Sequence, residues 1–159
     1  MTQALETRAR AMADLARGSI LASVEIAAAP ERVFRALSSE EIVRWWGSSE
    51  TYRTTRWTGE VRVGGAWRAE GTGANGESFR VEGTYLEVDP PRRLVQTWRY
   101  SWGGGGETTL SYELEPIAGG TRLRLRHEGF PPHSEACSGH ATGWERVLGW
   151  LTEYLGSAT

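Results

Sequence analysis

The sequence predicts an α+β fold: a curved antiparallel sheet of six to seven strands wrapped around one long C-terminal helix, with two short helices after the first strand. Three observations predict it. Between Arg56 and Glu128, apolar and polar residues alternate in runs separated by Gly-rich or Pro-rich turns. That is the two-residue period of strands with one buried face. From Pro131 to Leu155 the apolar spacing changes to three and four residues, the period of an amphipathic helix. No other predicted helix is long enough to cover the apolar face of such a sheet.

The elements follow in order. Residues 1–17 are rich in Ala, Arg and Glu. High helix propensity and a thin stripe of Leu5, Ala9, Met12 and Ala16 predict an N-terminal helical extension there. A single domain is expected over residues 18–156. Its first strand is Gly18 to Ala27, with Ile20, Ala22, Val24 and Ile26 on one face. Pro30 opens a short helix that places Val33, Phe34 and Leu37 inward. Ser38 or Ser39 caps a second, with Glu40 and Glu41 in its first turn, where the helix dipole favours acids. It ends in Trp45-Trp46-Gly47. Adjacent Trp residues cannot share one helix face, so at least one must turn to a different environment.

Six strands are then expected. Arg56 to Val63 leads through Gly64-Gly65 into Ala66 to Thr72, and Gly73-Ala74-Asn75-Gly76 holds a strong hairpin signal. Glu77 to Asp89 stops at Pro90-Pro91. Arg93 to Trp102 places Leu94, Gln96, Trp98, Tyr100 and Trp102 on one face. Gly103 to Gly106 turns into Thr108 to Glu115, and Gly119-Gly120 turns into Thr121 to Glu128. In the last strand Leu123, Leu125 and His127 face inward and Arg122, Arg124 and Arg126 outward. Short turns make sequential strands antiparallel.

Composition narrows the function. The chain has 159 residues, 39% hydrophobic and 24% charged, enough for one domain with a sizeable core. A net charge of −2 gives no nucleic-acid footprint. Every basic residue is Arg, read as a compositional bias. The single Cys137 allows neither an internal disulfide nor a Cys-based zinc cluster. No run approaches the roughly 18 apolar residues of a membrane span, and no apolar signal-peptide core is seen. A cytoplasmic protein without a membrane or nucleic-acid partner is the expectation. Eight Trp are the anomaly. They either fill the core or wall a cavity, since ligand pockets favour aromatic linings.

A sheet that grips a helix leaves a cavity where the two diverge, and its expected lining is Trp67, Phe79, Trp98, Tyr100, Trp102 and Trp144. Gln96 is a polar residue on the inward face, and such a group needs a partner when buried. Tyr112 and Phe130 complete the expected ligand-binding set together with His127 and His140. His127 ends the last strand facing inward and is the candidate general acid or base. His133, Cys137 and His140 recur on the predicted inner helix face. Strung along one helix they span about 10 Å, too far for one ion, so no metal and no cofactor are expected. Glu70 and Glu82 beside Arg68 and Arg80 read as cross-strand ion pairs. Gly139 and Gly143 make a small-residue strip on the helix that a strand or a second copy of the chain could approach, which leaves a homodimer open.

Several stretches in this order resemble one family. They are Ala29-Pro30-Glu31-Arg32-Val33-Phe34-Arg35-Ala36-Leu37, Trp45-Trp46, Val63-Gly64-Gly65-Ala66-Trp67, Gly83 to Val95 with Thr97-Trp98, Thr121-Arg122-Leu123, His127-Glu128-Gly129-Phe130 and His140-Ala141-Thr142-Gly143-Trp144. Together the chain resembles the helix-grip fold of the START/Bet v 1-like (SRPBCC) superfamily, in the branch named for an activator of a heat-shock protein's ATPase. The resemblance implies an apolar cavity beneath the long helix. Its relatives bind hydrophobic molecules, cyclise polyketides or assist a chaperone. Three functions are therefore expected in order: binding of a small hydrophobic or amphipathic molecule; a cyclase, dehydratase or hydrolase of aromatic or polyketide-like substrates, with His127 assisted by Tyr100 or Tyr112; and a chaperone-interaction module using the outer surface, the Trp45-Trp46 corner and the N-terminal helix. One fold hosts several functions, so the site decides among them.

Overall fold

The computed structural model describes residues 4–156. Eight antiparallel strands form one sheet, β1 (Arg10–Asp14), β2 (Ser19–Ile26), β3 (Arg53–Gly59), β4 (Ala66–Thr72), β5 (Ser78–Asp89), β6 (Arg93–Tyr100), β7 (Gly106–Ile117) and β8 (Gly120–Glu128). Three helices accompany them: α1 (Pro30–Leu37), α2 (Ile42–Trp45) and α3 (Glu135–Gly156). The spatial order is β1-β2-β8-β7-β6-β5-β4-β3. Successive hairpins generate β3 to β8, and β8 returns to pair with β2, Ile20 opposite His127 and Val24 opposite Leu123. The two helices α1 and α2 carry the chain from β2 to the far edge of the sheet.

Alternation settles which way the sheet faces. In β8, Leu123, Leu125 and His127 are buried, while Arg124 and Arg126 are exposed and Arg122 is half-buried. The outer face carries ion pairs such as Arg68–Glu82 at 3.0 Å and Arg122–Glu25 at 3.0 Å. Both lie near solvent and contribute little each. On the inner face α3 buries Cys137, Ala141, Trp144, Val147, Leu148, Leu151 and Leu155. Each large apolar side chain there contributes about 1.5–3 kcal/mol of transfer free energy.

The first short helix forms as the sequence predicts, whereas α2 starts only at Ile42, with Glu41 rather than Ser38 or Ser39 at its N-cap and no acid in its first turn. Pro30 occupies the first turn of α1, and Val33, Phe34, Ala36 and Leu37 are buried. The Ser39 hydroxyl accepts from the Glu41 N–H at 3.3 Å just before α2. Glu41 binds the Arg32 guanidinium and accepts from the Tyr154 hydroxyl at 2.6 Å. One carboxylate thus ties α1, α2 and the end of α3 together.

Two expectations are corrected. The N-terminal segment is not helical over residues 10–14: these form β1, an edge strand paired with β2 from Arg10↔Ser23 to Asp14↔Ser19. Residues 1–3 of that expected helix lie outside the described residues. Helix propensity is a weak prior here. A hairpin through Gly18, whose φ is +66°, lets the segment satisfy the open backbone edge of β2. The Ala11 N–H also donates to Glu145 on α3 at 3.0 Å. The sheet consequently has eight strands rather than six to seven. Second, α3 starts at Glu135, not at Pro131. His133 is exposed with a φ of +56°, and its N–H donates to the Leu15 carbonyl at 2.8 Å. The three-residue stripe His133, Cys137, His140 therefore does not exist on one helix. Cys137 is fully buried, with its thiol 3.8 Å from the Ser19 carbonyl.

Candidate functional site

Helix α3 packs on β2 and β1 and opens a space against the other half of the sheet. That space is a cavity of about 580 Å³. Its walls are aromatic: Trp46, Trp57, Trp67, Phe79, Trp98, Tyr100, Trp102 and Trp144 all line it. Size and lining fit a small-molecule pocket. Of the expected ligand-binding set, Trp67, Phe79, Gln96, Trp98, Tyr100, Tyr112, His140 and Trp144 line it, and His127 and Phe130 do not.

The wall is a connected ring stack. Trp98 sits at its centre, 6.0 Å from Trp46, 5.5 Å from Trp67 and 5.7 Å from Trp144 between ring centroids. Each of these indoles has its N–H occupied. Trp46 donates to the Tyr52 hydroxyl at 3.1 Å, and Trp67 to the Thr97 carbonyl at 3.2 Å. Trp98 donates to His140 Nε2 at 3.3 Å, and Trp144 to His127 Nδ1 at 3.0 Å. The ring faces therefore present apolar surface to the cavity.

The two histidines are held behind and beside this wall as neutral rings. An indole N–H only donates, so His127 Nδ1 is bare and its proton sits on Nε2. That N–H donates to the Thr108 hydroxyl at 2.6 Å, which in turn donates to the Trp98 carbonyl at 3.1 Å. By the same reasoning His140 carries its proton on Nδ1, donated to the Ala136 carbonyl at 2.8 Å. Burial, with the neighbouring His140, pushes His127 well below the ordinary histidine value of 6.5, and burial also lowers His140. His127 is fully buried, with both nitrogens engaged by protein groups. That leaves it no free nitrogen for a substrate, and it supports Trp98 and Trp144 from behind. Phe130 lies beside it, 4.7 Å between ring centroids. Of the two histidines, His140 lines the cavity and His127 stands behind its wall.

Besides His140, other polar residues line the cavity. Gln96 is only 5% exposed, and its Oε1 is buried without a hydrogen-bond partner among the described residues. A buried amide left unpaired is rare and unfavourable by about 1–3 kcal/mol. The Thr54 and Tyr112 side chains line the same space. Burial, reinforced by the neighbouring Tyr85, raises the Tyr112 pKa and keeps its hydroxyl protonated. At the mouth stand Glu135 and Arg146 of α3. Among the described residues no three His, Cys, Asp or Glu side chains come together as a metal-holding group.

Trp46, Tyr52, Trp57 and the helix positions Gly139, Gly143 and Arg146 line the cavity without having been predicted as ligand contacts. For Trp46 a signal existed. Trp45 is buried and donates to the Ala36 carbonyl at 3.0 Å, so the adjacent Trp46 had to point elsewhere, and it points into the cavity. No strand approaches Gly139 or Gly143: among the described residues a Cβ on either would meet nothing within 4 Å.

Comparison with known proteins places this geometry. No curated protein matches the chain. Solved structures do. A Chromobacterium violaceum protein is 26% identical, with a TM-score of 0.75 over 87% of this chain and 97% of that one. A Rhodobacter sphaeroides protein is 25% identical, with a TM-score of 0.78 over 92% and 97%. A Nitrosomonas europaea protein, 23% identical with a TM-score of 0.73 over 86% and 93%, shares the fold. Residues 27–156 match the family described as Activator of Hsp90 ATPase homolog 1-like protein, spanning α1 to α3 and so every wall of the cavity. The chain belongs to that family.

Proposed function

We propose that this protein binds a small hydrophobic or amphipathic molecule in the cavity between the sheet and α3. The observation that carries this reading is a space of about 580 Å³ left open behind aromatic walls, in a chain with eight Trp available to fill it. Interiors close such spaces unless something occupies them, because a void forfeits the dispersion contacts of its lining. An apolar cavity of this size takes a molecule of several rings or a short lipid-like chain. The engagement of His127 on both nitrogens weighs against the enzyme alternative.

The test is a fluorescence titration with N-phenylnaphthylamine, an apolar dye that brightens on leaving water. Saturable binding that competes with material extracted from the purified protein is expected. Absence of saturable binding for this and other apolar probes would overturn the reading.

A further inference from the structure

We propose that the ligand is an aromatic acid with a hydrogen-bonding group at its far end: the hydrogen-bonding group meets Gln96 in the depth of the cavity and the acidic group meets Arg146 at its mouth. This inference rests on the cavity-binding reading above and names the chemistry of its occupant.

Three observations converge. The first is the Gln96 amide, nine-tenths buried, lining the cavity, with Oε1 unpartnered. Rotation about its last torsion is broad and roughly two-fold, so the amide can offer either a donor or an acceptor to a hydroxyl. The Tyr112 hydroxyl lines the same depth. A purely apolar ligand would leave these groups unpaired, which disfavours it.

The second is the cavity-facing edge of α3, which reads Glu135, Gly139, Gly143, Arg146. Charges stand at both ends, with two glycines between. The glycines have open space where a Cβ would be, although each is less favourable than Ala in a helix by about 1 kcal/mol. From Gly139 to Arg146 the helix advances about 10 Å, the length of a two-ring molecule. Flat rings suit both this bare strip and the opposing indole faces.

The third is the charge at the mouth. Arg146 is exposed, lines the cavity as Tyr52 does, and has no ion pair among the described residues. Glu135 is not its equal in reverse. It sits in the first turn of α3, where the unpaired N–H groups of the helix already favour a carboxylate. Arg146 lies in the middle of the helix without that compensation, so the mouth offers an unmatched cation to an anion.

The experiment uses three probes of one size: a hydroxynaphthoate with its two groups at opposite ends, naphthoate without the hydroxyl, and naphthol without the carboxylate. Isothermal titration with the full chain should give the hydroxynaphthoate the tightest binding, about 5- to 10-fold over each of the others. Arg146→Gln should erase its advantage over naphthol, and Gln96→Leu its advantage over naphthoate. Arg146 is exposed, so its variant folds as the parent does. A thermal melt of Gln96→Leu separates loss of binding from loss of fold. Equal affinity for the three probes, or an order unchanged by Arg146→Gln, overturns the inference. If all three fail while N-phenylnaphthylamine binds, the cavity reading stands and this inference falls. If the dye fails as well, both fall.

Discussion

Replacing Gly139 and Gly143 separates stability from binding in a way that few positions allow. Both lie inside α3, both line the cavity, and a Cβ on either meets no atom within 4 Å. Neither has a positive φ. An alanine at each should therefore recover the full helix-propensity difference, about 0.8–1.0 kcal/mol per site. The two sites are one turn apart on the same face and close enough to couple, so the sum of about 1.6–2 kcal/mol is the uncoupled value. For a domain of this length that raises Tm by about 3–8 °C. Leucine at the same positions keeps most of that gain, because its propensity is close to that of alanine, yet it places two branched side chains in the space a ligand would occupy. The expected signature is opposite in sign: Tm rises in both double variants, while dye affinity falls at least about tenfold, or about 1.4 kcal/mol, in the leucine variant. Differential scanning calorimetry and the dye titration read the two quantities on one sample. A fall in Tm for the alanine variant would mean that something in solution, such as a second copy of the chain, covers this helix face. A leucine variant that is more stable and binds the dye unchanged would move the ligand away from α3.

Two further outcomes follow from the histidines behind the wall. His127 and His140 both have folded values below the ordinary 6.5. As pH falls through 6.5 the unfolded chain takes up their protons first. Stability is therefore full above that pH and declines toward the folded values by up to about 1.4 kcal/mol per pH unit for each ring. Urea denaturation between about pH 7.5 and 5 should show this decline, shallower in His140→Gln, and a flat or rising profile would refute the neutral assignment. Thr108→Val keeps the shape but removes the acceptor for the buried His127 N–H, so it should cost about 1–3 kcal/mol in the same assay at pH 7.5. No measurable loss would mean that His127 is held by Trp144 alone.

Much of the fold was legible in the chain. Alternation in β4 to β8 gave the buried face residue by residue, because side chains on a strand have no choice but to alternate. Pro30 and the apolar spacing of α1 and α3 worked for the same local reason. The N-terminal strand was not legible. Leu5 to Ala16 reads as a helix, and only the unpaired edge of β2 makes Arg10–Asp14 a strand. Edge pairing is a property of a partner, not of the segment itself. The start of α3 was misplaced because His133 adopts a left-handed conformation that its sequence does not announce.

The site divides along the same line. From the sequence alone came the class of the fold, the inward residues of each strand and an aromatic pocket beneath the final helix, all set by local periodicity and hydrophobicity. Only the tertiary structure decided which aromatics face the space and which histidine stands behind it. His127 and His140 look alike in the sequence, since both are expected to face inward. Their roles are set by which hydrogen bonds the folded chain brings to them: Trp144 and Thr108 seal one, Trp98 and Ala136 the other. The same holds for Gln96. A strand position says that its side chain points inward, but whether a partner waits there depends on β5, β7 and α3 converging from distant parts of the chain, and for Oε1 none does.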